Sequence, residues 1–192
     1  MKRWISTIVL AGLIAILGTG CVFNDKANGI VLYGLQDDVK STVDNYAKDI
    51  KFSGTIPFKD QTTPQGRMLI LNENSAKALI EAGIMKQVTE KDKVSKLDTL
   101  PTVSGQQGVI FAKQDIKAFT LDGVSFAYGG NNIIGDGRKL VDMFAIVSEE
   151  AYKQMKGDVK SLGLLNFGKD ISSKLAEFTN LVEAVQLVRF EE

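Results

Sequence analysis

The residues of this chain best suited to catalysis are two acidic pairs, Asp37-Asp38 and Glu149-Glu150, because facing carboxylates can act as acid and base in glycoside hydrolysis. Each pair also stands at the start of an expected helix, where acidic side chains favour the helix dipole without any catalytic role. Among 192 residues there is no histidine and one cysteine, Cys21. Ser-His and Cys-His nucleophile schemes are therefore excluded, and zinc lacks its usual ligands. No lysine has Ser or Thr three residues before it, so a Ser-x-x-Lys pair does not occur.

A glycine-rich stretch, Gly129-Gly130-Asn131-Asn132 through Gly135-Asp136-Gly137, carries the remaining chemistry. Asn131, Asn132 and Asp136 offer oxygen ligands, but their spacing departs from that of a calcium loop, and a plain connecting loop is expected. Successive backbone N–H groups there could face an anion, with Arg138 beside them. The pattern of a nucleotide-binding loop is missing. Trp4 is the only tryptophan and lies near the N-terminus, so the rest of the chain lacks the strongest sugar-stacking residue. No catalytic residue, metal or cofactor is expected.

Basic and acidic residues number 23 each. Loss of Lys2 and Arg3 with an N-terminal leader would leave 21 against 23, which gives no electrostatic case for nucleic acid or anionic lipid. With 44% hydrophobic and 24% charged residues, the composition is that of a globular protein whose core must hold without disulfides.

Lys2 and Arg3 precede 14 uncharged, mostly apolar residues, Trp4 to Leu17, followed by Gly18-Thr19-Gly20-Cys21. A charged start, an apolar run and a small-residue site form a secretory signal. The site resembles a bacterial lipobox, with Gly18 where an aliphatic residue is usual and Leu17 one place earlier. The resemblance implies diacylglycerol on Cys21, removal of residues 1–20, and a lipid anchor at the outer face of a bacterial membrane. The rival readings are an uncleaved anchor over Trp4 to Phe23 and plain secretion. Residues 21–28 form a short tether, and residues 29–192 one domain.

The elements that must position any site follow from periodicity. Gly29 to Tyr33 reads as a buried strand, and Asp37 to Ile50 as a helix with Val39, Val43, Tyr46, Ala47 and Ile50 on one face. Phe52 to Phe58 reads as a strand ended by Pro57, with a loop from Gln61 to Gly66. Arg67 to Leu71 is a strand, and Asn72 caps a helix through Met85. Lys86 to Leu100 reads as a solvated, mixed-charge loop or short helix. Strands follow at 109–113, 116–121 and 124–128, the last two joined at Asp122-Gly123, a favoured hairpin turn. A strand over 139–147 leads to a helix capped by Ser148. Ile171, Leu175, Phe178, Val182 and Val185 mark a last helix capped by Asp170, before a terminal strand over 185–190.

Residues 68–77 align with 144–153 at an offset of 76. Either any capped strand-helix unit reads this way, or the domain holds two similar β-α lobes with a ligand cleft between them. Phe144 to Met155 also resembles a segment in extracytoplasmic domains of FtsX-like and MacB-like transporter permeases, which implies a free-standing cousin of such a domain. Together these readings give an α+β fold, a mostly antiparallel sheet covered by three or four helices. The expected role is a non-catalytic binding or interaction module with a membrane-protein partner, a small ligand or a peptide. The alternatives are a carboxylate-dependent envelope hydrolase and a small solute-binding lipoprotein of a transporter. Mass spectrometry of the native protein is expected to find a chain beginning at Cys21 with acyl groups on it; a free thiol or an intact leader would refute the address.

Overall fold

The computed structural model describes residues 26–90, 93–138 and 141–190. The leader, Cys21 and most of the tether lie outside the described residues. The chain order is β1 (Gly29–Gly34), α1 (Gln36–Tyr46), β2 (Phe52–Thr63), β3 (Gly66–Asn72), α2 (Glu73–Glu81), β4 (Met85–Glu90), β5 (Lys93–Lys96) and β6 (Gln107–Ala112). It continues with β7 (Phe119–Leu121), β8 (Val124–Tyr128), β9 (Asn132–Ile134), β10 (Met143–Val147), α3 (Glu149–Gln154), β11 (Asp158–Asn166), α4 (Leu175–Phe178) and β12 (Ala184–Val188). Nine strands form one sheet in the order β12-β1-β11-β2-β3-β10-β6-β8-β7, and β5-β4-β9 form a second. Every neighbouring pair in the large sheet is antiparallel except β3 with β10 and β6 with β8. The fold is α+β with a mostly antiparallel sheet and four helices, as the sequence pattern leads one to expect.

Both faces of this sheet are buried. Val31, Phe58, Leu69, Leu71, Phe144, Ile146 and Leu164 face α2 and the second sheet in the largest apolar cluster. On the other face Ile30, Leu32 and Leu165 pack with α1 and α4, while Ile70, Met143 and Ala145 pack with α3. Alternation along a strand sends successive side chains to opposite faces, so sandwiched strands read as continuous apolar runs. This explains the unbroken Met68-Leu69-Ile70-Leu71 and Phe144-Ala145-Ile146-Val147.

Four expectations are corrected. Pro57 does not end its strand, which continues to Thr63. The pairing of β2 with β3 reaches only Lys59 and Ile70, and the Pro57 carbonyl on that side accepts from Ser75 Oγ at 2.9 Å. A residue's N–H and C=O point to the same side of a strand, so the missing proline N–H faces a place with no ladder partner. The expected loop at 61–66 is a hairpin: Thr63 Oγ1 accepts from Gln65 N and donates to Gly66 O, and Gly66 takes φ +131°. Residues 86–100 supply β4 and β5, whose lysines guard an exposed edge. The last helix shrinks to Leu175–Phe178. Its apolar spacing did mark side chains that meet α1, since Ile171 and Phe178 are buried there with Val182 and Val185 against them. The chain leaves the helix early because β12 must pair with β1 from Ala184 onward.

Asp122-Gly123 forms the expected hairpin, with φ +49° and +83° as a type I′ turn needs. Asn72 and Ser148 cap α2 and α3 through Ser75 N and Ala151 N. The two similar β-α units lie side by side in one sheet instead of facing each other across a cleft. Gly163 of β11 lets α1 approach: a Cβ there would come within 2.9 Å of Val39 Cγ1 and 3.0 Å of Val43 Cγ2. Gly163→Ala is expected to cost about 1–3 kcal/mol in denaturant unfolding, partly recovered by adding Val43→Ala.

Candidate functional site

The acidic pairs stand apart. Asp37 and Asp38 occupy the first turn of α1, at the end of the sheet where β1 finishes, whereas Glu149 and Glu150 open α3 at the opposite end. Glu149 accepts from Asn72 Nδ2 at 3.0 Å and from Asn74 N at 3.3 Å, so it secures the start of α2. Asn131, Asn132 and Asp136 are likewise divided. Asn131 Oδ1 accepts from Arg138 at 2.7 Å, Asn132 is buried in β9, and Asp136 accepts from the Lys86 ammonium at 2.6 Å and from Arg189 N at 3.2 Å. Among the described residues no group of three acidic, His or Cys side chains is arranged to hold a metal.

Two carboxylates that sequence reasoning passed over do lie close together. Asp60 binds the Arg67 guanidinium through both oxygens, and Lys160 Nζ bridges Asp60 at 3.1 Å to Glu183 at 2.7 Å. Hydrogen bonding from Arg67, opposed by burial and helped by Lys160, holds the Asp60 carboxyl below its ordinary range. A general acid needs the reverse shift. Lys59, on the other face, gives its ammonium to the carbonyls of Tyr152 and Met155 at 2.7 and 2.5 Å, over the Tyr152 ring. Both sets serve assembly: one fastens β2, β3, β11 and the start of β12, the other fastens α3 to β2.

Two hollows remain. A groove of about 410 Å³ runs between α2 and the strand ends, lined by Phe52, Ala78, Glu81, Ala82, Asn166 and Phe190. That volume falls in the range of small-ligand sites. Phe52 stays 47% exposed at its rim. Phe190 closes the groove next to the first described strand: its backbone exchanges hydrogen bonds with the Asn28 side chain at 3.0 and 2.8 Å, and its ring fills the space beside Gly29. The groove therefore opens beside Asn28 and Gly29, at the start of β1. Its lining comes from four distant stretches of sequence, and no motif or periodicity marked it.

The second hollow is a cavity of about 20 Å³ under the turn after β9, lined by Tyr33, Leu69, Ile134, Gly137, Arg138, Val141 and Phe144. The backbone N–H groups of Asp136 and Gly137, expected to face an anion, instead meet the Gln186 amide oxygen at 2.9 Å each. Burial disfavours the charge of the Arg138 guanidinium.

A mixed sheet buried on both faces, with an open groove between α2 and the strand ends, defines a compact α+β domain. The chain belongs to an uncharacterised lipoprotein family, whose profile matches residues 27–191. It is similar to a Bacillus anthracis protein of known crystal structure described as a "Putative Lipoprotein", at 32% identity and TM-score 0.80, covering 86% of this chain and 100% of that one. No curated protein matches it. Among the described residues no helix is long and apolar enough to cross a membrane.

The Asp60 cluster carries a pH signature. With its native pKa below the ordinary 3.8, Asp60 contributes stability that is present above that value and lost as pH falls through the native one. Asp60→Asn is expected to lower the melting temperature at pH 7, and its gap to the wild type should close in acid; a gap independent of pH would contradict this.

Proposed function

We propose that this lipoprotein is a non-catalytic interaction module, held at the outer face of the membrane by lipid on Cys21, whose groove receives an extracytoplasmic segment of a membrane protein. The observation that carries this reading is the place of the groove. It opens beside Asn28 and Gly29, where the tether arrives, and only seven residues separate Cys21 from Gly29. Seven extended residues reach roughly 25 Å at most, so the groove stays close to the bilayer and to proteins embedded in it. Phe52, Ala78, Ala82 and Phe190 offer an apolar wall, and Glu81 adds a polar margin, the pattern of a peptide seat with an apolar centre.

The similarity of Phe144 to Met155 to permease outer domains accords with a transporter-like partner. That segment forms β10 and α3, whose strand is buried, so the likeness concerns architecture and the partner seat lies elsewhere. The hydrolase reading is disfavoured by Asp60 and Glu183, which are neutralised by Arg67 and Lys160. A two-lobed solute binder is disfavoured by the side-by-side placement of the two β-α units in one sheet.

A photoreactive benzoylphenylalanine at position 52 of the lipidated protein tests the reading in intact cells. One membrane protein should be captured there and not from position 40, which is exposed on α1 on the opposite face. Ala78→Trp, which fills the groove, should abolish the adduct without changing the melting temperature. Equal capture from both positions, or capture that survives Ala78→Trp, would overturn it.

A further inference from the structure

Hydrogen-bond accounting around Gln186 leaves one buried donor unspent. The Gln186 side chain is buried, and its amide oxygen is claimed by two backbone N–H groups, those of Asp136 and Gly137. Its nitrogen therefore points at Tyr33 Oη, 3.0 Å away, and donates to it. The phenolic oxygen is then an acceptor in this pair, and its own proton is left for another partner. Tyr33 is only 5% exposed. Among the described residues no acceptor takes that proton, and burial keeps the phenol protonated by raising its pKa. An unmet buried donor costs on the order of 1–3 kcal/mol, so its surroundings call for an explanation.

The surroundings are the small cavity beneath the turn at 135–138. Arg138 lines it together with Tyr33. Its guanidinium is half-buried, donates through Nη2 to Asn131 Oδ1, and has no carboxylate within ion-pair reach among the described residues. Five N–H donors in a fixed fork, with one used on a neutral amide, leave a cation that lacks a counter-charge. Of the remaining walls, Leu69, Ile134, Val141 and Phe144 are apolar and Gly137 contributes backbone alone, so none offers an acceptor side chain. Two donor groups, one of them cationic, thus line a low-dielectric hollow with no side-chain acceptor.

We infer that this cavity is a binding site for a small monovalent anion, a halide or the carboxylate head of a small acid, held by Tyr33 Oη–H and the Arg138 guanidinium. A hollow of about 20 Å³ admits one water-sized group, which suits a halide ion or the head of a carboxylate. The anion accepts the unspent phenolic proton and supplies the counter-charge that Arg138 lacks. Asp136 cannot compete for the site, because both of its oxygens are engaged by Lys86 and Arg189 N. Ligation would brace the turn between β9 and β10 against β1, and it does not depend on what occupies the groove at Phe52.

Chloride is the probe. In the mature lipidated protein held in detergent micelles, ³⁵Cl resonance linewidth should show saturable excess broadening, and sodium acetate should remove it if carboxylates share the site. Tyr33→Phe deletes only the hydroxyl, and Arg138→Gln keeps a donor for Asn131; each should reduce the broadening at least tenfold while the fold persists. In tyrosine-labelled wild-type protein, the ring signals of Tyr33 should move with chloride while those of Tyr46 and Tyr152 stay in place. This last measurement decides the matter even if a variant fails to fold. Absence of saturable broadening in the wild type, broadening that survives in both folded variants, or a motionless Tyr33 would each overturn the assignment.

Discussion

The parallel pairing of β3 with β10 is the joint on which the domain depends. Among the described residues it is the strand pairing that joins β12-β1-β11-β2-β3 on one side to β10-β6-β8-β7 on the other. The register sets Met68 opposite Met143 and Asn72 opposite Val147, an offset of 75. The helix caps Asn72 and Ser148 are offset by 76. Because side chains alternate with a period of two, that single residue decides which face each following helix covers. Accordingly α2 buries Ala76, Leu79 and Ile80 on one face, and α3 buries Ala151 and Met155 on the other. Two similar capped strand-helix segments thus cover both sides of one sheet, and Glu149 links their starting points.

Polar groups inside this architecture act mostly as fasteners at the seams between elements. Lys59 caps the carbonyl end of α3 from a strand beneath it, a favourable place for a cation. Lys86 and Asp136 tie the second sheet to the turn after β9, and Gln186 ties that same turn to the edge strand β12. Arg67, Asp60, Lys160 and Glu183 bind neighbouring strands to the loop before β12. Since a buried charge is tolerated only when it is paired or hydrogen-bonded, each of these contacts specifies one arrangement of its seam. Tyr33 and Arg138 line one small cavity with donors that no side chain in its walls accepts.

The direction of β1 gives the domain its orientation. β1 begins at Gly29, so the end of the sheet that carries Phe52, Asn166, Phe190 and the C-terminal half of α2 is the end at which the first strand starts. The other end carries the Asp60 cluster and the start of α1.

The sequence by itself determined the features that depend on local rules. The apolar runs at 30–33, 68–71 and 144–147 announced sandwiched strands, Asp122-Gly123 announced a tight hairpin, and Asn72 and Ser148 announced helix starts. The lack of histidine and of a second cysteine was equally legible and removed whole classes of chemistry. Tertiary structure alone decided the rest. Pro57 is accommodated because the pairing of β2 with β3 stops at Lys59, the lysine-rich stretch after Met85 pairs because β9 offers a partner, and the helix expected from 170 is cut short by the demand of β1 for an edge strand. The groove and the cavity draw on residues more than a hundred positions apart, and no periodicity encodes such meetings. Local propensity is worth tenths of a kcal/mol per residue, whereas pairing and burial against distant chain are worth several, so where the two conflicted the distant contacts prevailed.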